Sequence, residues 1–254
     1  MNGLRNRVRA GERLLGTFVK TTSPQTIEVL AHGDLDFIVL DAEHAPFSIE
    51  SLSQVLAIAI PNRLPTLVRT PNHDPAFINS CLDMGAEGVL VPHVRSVADV
   101  EAIADAVKYR RGRRGFSPST RAGAYGTFAS STYRSMADDR NAIWCQIEDA
   151  EALEALDAIA AHDAVDCLFI GPADLGWSLC PDGPDEATLL SAIRRIVSSA
   201  SRCGCAVGIF VPDADQLKNA LAWGASVIVS GSDQSMLLSA TRSLSRALAE
   251  AGRS

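Results

Sequence analysis

Eight short runs of β-branched and apolar residues, each followed by a stretch of helical periodicity, recur from one end of the chain to the other, and no other feature narrows its possible folds as much. The runs fall at residues 15–20, 37–41, 66–69, 88–92, 143–147, 167–170, 206–211 and 226–230. Helical patterns fill 24–31, 49–60, 75–84, 97–108, 150–161, 186–202, 213–222 and 235–249. Ser23 before Pro24, Ser48, Asp74 before Pro75, and Ser96 stand at helix starts, where a short polar side chain caps free N–H groups. Gly33, Gly85, Gly204 and Gly224 follow helix ends, where a left-handed residue is favoured.

Strands this continuously apolar are buried on both faces, which implies a parallel sheet covered by helices. Eight units, with no Gly-x-Gly-x-x-Gly fingerprint after the first strand, favour a closed (β/α)8 TIM barrel over an open doubly wound sheet. The 254 residues, 47% of them hydrophobic, suit one such barrel and show no composition shift, so a single domain over residues 1–254 is expected. Residues 110–139, rich in Gly, Ser, Arg and Tyr, read as an extended insertion on the βα side or an oligomer contact.

A formal charge of −7 argues against nucleic-acid binding, which needs clustered positive charge. In such a chain the basic run Arg110, Arg111, Arg113 and Arg114 reads as a solvated loop or subunit contact. No run approaches the roughly 20 apolar residues of a membrane span, and the arginines at 5, 7, 9 and 13 precede no signal-peptide core, so a cytoplasmic protein with a small-molecule partner is expected. The six cysteines have no Cys-x-x-Cys or zinc spacing and read as reduced thiols.

In a barrel, the polar residues that close each strand converge on one face. Here they are Asp41, Glu43 and His44, then Arg69, His93, Gln146, Glu148 and Asp174. Glu148 and Asp174 make the best pair of hard oxygen ligands for Mg²⁺ or Mn²⁺; alternatively, Glu148 caps a helix and Asp174 is a loop carboxylate. The turn Gly171-Pro172-Ala173-Asp174 lets backbone N–H groups approach an anion. Arg69 meets either a developing oxyanion or a neighbouring carboxylate, and His44 is either an acid/base or a satisfied structural histidine. A Schiff-base aldolase would need an interior lysine, yet the lysines are Lys20, Lys108 and Lys218, of which only Lys20 ends a strand.

Several of these residues recur in a known order: Leu40-Asp41-Ala42-Glu43-His44-Ala45-Pro46, Val68-Arg69, Leu82-Asp83-x-Gly85, Val91-Pro92-x-Val94, Gln146-Ile147-Glu148, Phe169-Ile170-Gly171-Pro172-Ala173-Asp174-Leu175 and Gly231-Ser232-Asp233. In this the chain resembles the HpcH/HpaI family of class II, metal-dependent pyruvate aldolases, the 4-hydroxy-2-oxoheptanedioate and 2-keto-3-deoxy-sugar-acid aldolase type. The resemblance implies a barrel of the phosphoenolpyruvate/pyruvate type, hexamers that exchange the last helix, and a role in aromatic or sugar acid catabolism. It implies Mg²⁺, Mn²⁺ or Co²⁺ held by Glu148 and Asp174, with pyruvate bound by Gln146 and the Gly171–Asp174 turn. Arg69 would stabilise the enolate, His44 would be the acid/base, and Asp83 would raise the basicity of His44.

The expected reaction is reversible cleavage of a 4-hydroxy-2-oxo acid to pyruvate and an aldehyde. Oxaloacetate decarboxylation, malyl- or citramalyl-thioester cleavage, and a non-catalytic 2-oxo-acid-binding barrel are the alternatives. Lys20, His93 and the loop after Tyr109 depart from the family pattern. Lys20, Phe210 and residues 110–139 are the candidates for shaping the aldehyde pocket.

Overall fold

Alternation of side chains along each strand builds this molecule from the inside out. The computed structural model describes residues 3–110 and 112–252. Its strands are β1 (Leu14–Val19), β2 (Phe37–Asp41), β3 (Thr66–Arg69), β4 (Gly88–Val91), β5 (Ala142–Ile147), β6 (Cys167–Ile170), β7 (Ala206–Val211) and β8 (Val227–Ser232). All pair in parallel in chain order, and β8 returns to β1 to close the barrel. The eight-stranded TIM barrel expected from the alternation is therefore present.

Every second residue of a strand points inward. Phe18, Phe37, Val39, Leu67, Leu90, Trp144, Phe169, Val227 and Val229 pack as one buried cluster inside the barrel. Their neighbours Ile38, Leu40, Val68, Val89, Ile143, Leu168, Ile170, Ile209 and Ile228 face outward into the layer under the helices. Gly16 belongs to the inner set for lack of room, because a Cβ there would meet the Phe37 ring at 2.5 Å. The same parity carries Lys20, Asp41, Arg69, Gln146 and Gly171 to the mouth, each one step beyond the packed interior, and Glu148 one step further.

A helix that the strand and helix periodicities do not predict, Leu4–Arg9, closes the opposite end. Leu4 and Val8, four residues apart on one helix face, join the interior cluster. The arginines of the same helix hold the floor: Arg5 donates from Nε to the buried Asp166 at 2.9 Å, Arg9 binds the same carboxylate, and Arg7 reaches Asp36 at 2.6 Å.

The outer helices follow the predicted spans to within a few residues, with two subdivided. The 150–161 segment is a 3₁₀ turn, Ala150–Glu154, followed by helix Leu156–Ala160. The 213–222 segment is likewise Ala214–Gln216 followed by Leu217–Trp223. Ser48 and Ser96 form reciprocal capping boxes, and Asp74 caps the N–H of Ala76; Ser23 makes no side-chain cap. Gly85, Gly204 and Gly224 adopt positive φ, whereas Gly33 does not.

The 110–139 stretch departs from expectation. It follows helix Val97–Val107 and precedes β5, so it lies on the αβ side, at the floor rather than the mouth. It contains a 3₁₀ turn, Arg121–Gly126, and a helix, Ser130–Arg140, that packs beside Leu4–Arg9. Of the basic run, Arg111 lies outside the described residues; Arg114 is buried and pairs with Asp83, and Arg113 is exposed beside Asp105. No helix among the described residues is long and apolar enough to cross a membrane.

Candidate active site

β2 and β3 are in register at Asp41 and Arg69, and the two side chains meet at the mouth. Asp41 is fully buried and accepts from Arg69 Nε at 2.9 Å and Nη2 at 2.8 Å, a forked pair. It also accepts from the backbone N–H of His44 at 3.1 Å, and Lys20 Nζ lies 3.5 Å away. Burial works to raise the Asp41 pKa, but the hydrogen bonds and charge of Arg69 outweigh it and hold the carboxyl below its ordinary value. The Arg69 guanidinium rests over the Phe18 ring, 4.4 Å from its centroid.

Opposite stand the side chains of β5 and β6. Gln146 and Glu148, both 2% exposed, share a short hydrogen bond from Gln146 Nε2 to Glu148 Oε2. Glu148 Oε1 accepts from the backbone N–H of His93 at 2.9 Å, a bond made possible by the left-handed backbone of His93, φ +54°. Gly171 sits against this pair so closely that a Cβ would lie 2.9 Å from Glu148 Oε2 and 3.1 Å from Gln146 Nε2. Directly after it begins helix Pro172–Leu179, whose first-turn N–H groups have no intrahelical acceptor.

Between the two groups lies a cavity of about 340 Å³, the size of a small-molecule site. Arg69, Gln146, Gly171, Ala173 and Asp174 line one part of it; Phe18, Lys20, Phe210, Pro212, Ser232 and Ser235 line the rest. His44 stands at the rim, 55% exposed at the side chain, with Nε2 3.6 Å from Glu43 Oε2.

The rim is crowded with negative charge. Burial pushes the Glu43 carboxyl above its ordinary value, Asp41 and Asp174 add to the effect, and Arg69 and His93 oppose it. Burial likewise raises Glu148, against the His93 N–H and Gln146. One ligand atom from each of Glu43, His93 and Glu148 falls within 4.8 Å of the other two. A barrel mouth that combines a buried arginine, a carboxylate cluster and a helix N-terminus is built to bind a small anion and to stabilise charge that develops on it.

Comparison with known proteins agrees. The model of the HpcH/HpaI aldolase/citrate lyase family matches residues 14–240, nearly the whole barrel. The chain belongs to this family. It is an enzyme, a carbon–carbon lyase. A hydroxypyruvate/pyruvate aldolase of Pseudomonas aeruginosa is 34% identical over 247 residues, 96% of this chain and 91% of that protein. A 5-keto-4-deoxy-D-glucarate aldolase of Escherichia coli (strain K12 / DH10B) is 33% identical over 246 residues, 96% of this chain and 95% of the relative. The crystal structure of a family member from Burkholderia cenocepacia J2315 superposes with a TM-score of 0.91 at 31% identity, with both chains fully covered.

Within this lyase the mouth brings together His44, Arg69, Gln146, Gly171, Pro172, Ala173 and Asp174 around one cavity, with Glu148 directly behind Gly171. Asp83 is elsewhere. It ends helix Pro75–Asp83, which runs back against the strands, so within one chain it lies toward the floor and pairs with Arg114 at 2.7 Å rather than with His44. The carboxylate beside His44 is Glu43. Residues 110–139 contribute nothing to the described lining of the cavity, and Lys20 and Phe210 do contribute. Two features were not anticipated: the capping Ser232 and Ser235 of the last helix as cavity walls, and the turn of His93 into the carboxylates. The polarity of Ser232 at the end of β8 was the available signal for the first; residue type carries none for the second.

The donor set fits a divalent cation. Its oxygens are hard, Gln146 Oε1 is buried without a hydrogen-bond partner among the described residues, and Gly171 leaves open the space a Cβ would fill, while Glu43 Oε2 already faces Arg69 Nη1 at 3.3 Å.

Proposed function

We propose that this lyase catalyses the reversible aldol cleavage of a 4-hydroxy-2-oxo acid into pyruvate and an aldehyde, through a pyruvate enolate. The observation that carries the reading is the convergence of a buried, forked Arg69, Gln146 and the first turn at Gly171–Asp174 on one cavity, with His44 at its rim. Glu148 and Asp174 would hold Mg²⁺, Mn²⁺ or Co²⁺, which when bound supplies Lewis-acid polarisation of the 2-oxo group. The N–H groups of Ala173 and Asp174 bind the substrate carboxylate at the helix N-terminus. Gln146 fixes the orientation of the 2-oxo acid. Arg69, immobilised by Asp41, places positive charge where the enolate oxygen develops. In the cleavage direction His44 accepts the proton of the 4-hydroxyl as the carbon–carbon bond breaks, and in synthesis it returns it.

The reading extends to assembly and setting. The whole chain, 1–254, works as one domain in the cytoplasm, in a homo-oligomer of the hexameric type. Supporting this, helix Asp233–Ala251 has no buried residue and exposes Leu237, Leu238, Leu244 and Leu248, an apolar row that a second subunit would cover.

The test is a panel of 4-hydroxy-2-oxo acids and oxaloacetate assayed for pyruvate release before and after chelation. Cleavage of hydroxy-oxo acids abolished by EDTA and restored by Mg²⁺, Mn²⁺ or Co²⁺ is expected, with no adduct trapped by borohydride and pyruvate. Full activity in chelator removes the metal assignment. Pyruvate release from oxaloacetate alone makes the enzyme a decarboxylase.

A further inference from the structure

His93 is the least conventional residue of the mouth. It lies two residues past β4 in a left-handed backbone that residues other than glycine adopt infrequently. That conformation does two things at once: it aims the N–H at Glu148 Oε1, 2.9 Å away, and it turns the imidazole back among Glu43, Glu148 and Asp149. Nδ1 lies 3.0 Å from Asp149 Oδ2, and Arg95 Nε holds the same oxygen at 3.0 Å. This network assigns the proton to Nδ1, which leaves the lone pair of Nε2 directed into the cluster. Nε2 is 3.8 Å from Glu43 Oε1, so in the neutral imidazole a lone pair faces a carboxylate.

Two donors bound about 2.1 Å from one octahedral ion stand about 3.0 Å apart when adjacent and about 4.2 Å when opposite. The 3.8 Å separation falls inside that range, and one ligand atom from each of Glu43, His93 and Glu148 lies within 4.8 Å of the other two. A carboxylate on the far nitrogen is the arrangement that orients metal-bound histidines elsewhere in proteins. Beside the cluster the buried Oε1 of Gln146 is left without a hydrogen-bond partner among the described residues. We propose that His93 Nε2 is a nitrogen ligand of the divalent cation held at Glu148, with Asp149 and Arg95 as its positioning residues and Glu43 as the facing oxygen ligand. The inference rests on the metal-dependent reading above and adds to it a selectivity: an imidazole in the ligand set favours Co²⁺, Ni²⁺ and Zn²⁺ over Mg²⁺.

The experiment is pulsed electron paramagnetic resonance on the full-length protein loaded with Mn²⁺, prepared with natural and with ¹⁵N-labelled histidine. Modulation from one directly bound histidine nitrogen is expected, changing with the isotope, lost in His93→Asn and kept in His44→Gln. Asparagine is chosen because it tolerates the left-handed backbone, and the isotope comparison decides the matter in unaltered protein should the variant fold poorly. Titration calorimetry should show the ratio of Co²⁺ to Mg²⁺ affinity falling at least about tenfold in His93→Asn, since losing even an outer-shell partner of a ligand costs about that much. Bound Mn²⁺ without a histidine nitrogen, or with one that disappears only in His44→Gln, overturns the assignment of His93 and leaves the metal reading intact. Failure of the protein to bind Mn²⁺ at all overturns both.

Discussion

Replacing Gly171 with alanine is the smallest change that reaches the centre of the site. At φ −98° and ψ 87° the backbone accepts alanine, so the consequence is steric. The new methyl would lie 2.9 Å from Glu148 Oε2, where ordinary contact begins at 3.4 Å, and the carboxylate must retreat by about 0.5 Å. Glu148 cannot do so freely, because the His93 N–H holds one oxygen and Gln146 the other. Loosening either hydrogen bond to this charged group costs about 1.5–3 kcal/mol, and a shift of this size meets the roughly 0.5 Å tolerance of a productive site. We expect Gly171→Ala to fold with about 1–3 kcal/mol less stability. Its kcat/KM for pyruvate release should fall roughly 10- to 100-fold, and its affinity for Mn²⁺ should fall with it. Coupled pyruvate assays, Mn²⁺ titration followed by electron paramagnetic resonance and denaturant unfolding measure the three quantities. A folded Gly171→Ala enzyme with native kcat/KM and native Mn²⁺ affinity would refute the placement of Glu148 and Gln146 in the site.

Arg69→Ala should lower kcat about 10²- to 10³-fold and, by stranding the buried Asp41, destabilise the barrel by about 3–5 kcal/mol in denaturant unfolding. Asp41 supplies a pH dependence: its folded pKa is below the ordinary 3.8, so the stability from its pair with Arg69 is complete above that value and is lost as pH falls through the lowered one. The stability difference between wild type and Asp41→Asn should therefore be constant near neutrality and shrink below about pH 4; a difference unchanged down to pH 2.5 would show that Asp41 is not the titrating group. If the proposed homo-oligomer forms through the exposed face of the last helix, Leu244→Asp with Leu248→Asp should lower the sedimentation mass, and an unchanged mass would remove that face from the proposed interface.

The barrel was legible because β2, β6 and β7 are nearly pure apolar runs and β3 breaks sharply at Arg69, and the predicted limits of all four match the observed ones residue for residue. The mouth was legible for the same reason: a polar residue on the inner parity of such a strand has nowhere to go but the open end. Leu4–Arg9 escaped because six residues give too little periodicity, and the acidic partners of its arginines, Asp166 and Asp36, are distant in sequence. Within one chain Asp83 lies apart from His44 because a motif preserves order along the chain, while which end of the barrel a residue occupies depends on whether it closes a strand or a returning helix. The turn of His93 depends on a backbone angle that no side-chain pattern encodes.

The seam between β1 and β8 joins the first strand synthesised to the last. Asp233, just past β8, accepts from the backbone N–H groups of Lys20 and Thr21 at 2.9 and 3.0 Å, so one wall of the cavity is shaped by a residue made more than two hundred positions later. An incomplete chain still attached to the ribosome can build most of its parallel ladder but not this clasp. Catalytic competence then waits on β8 and the residue just past it, so the cavity wall at Lys20 is completed only after the barrel's last strand has been made.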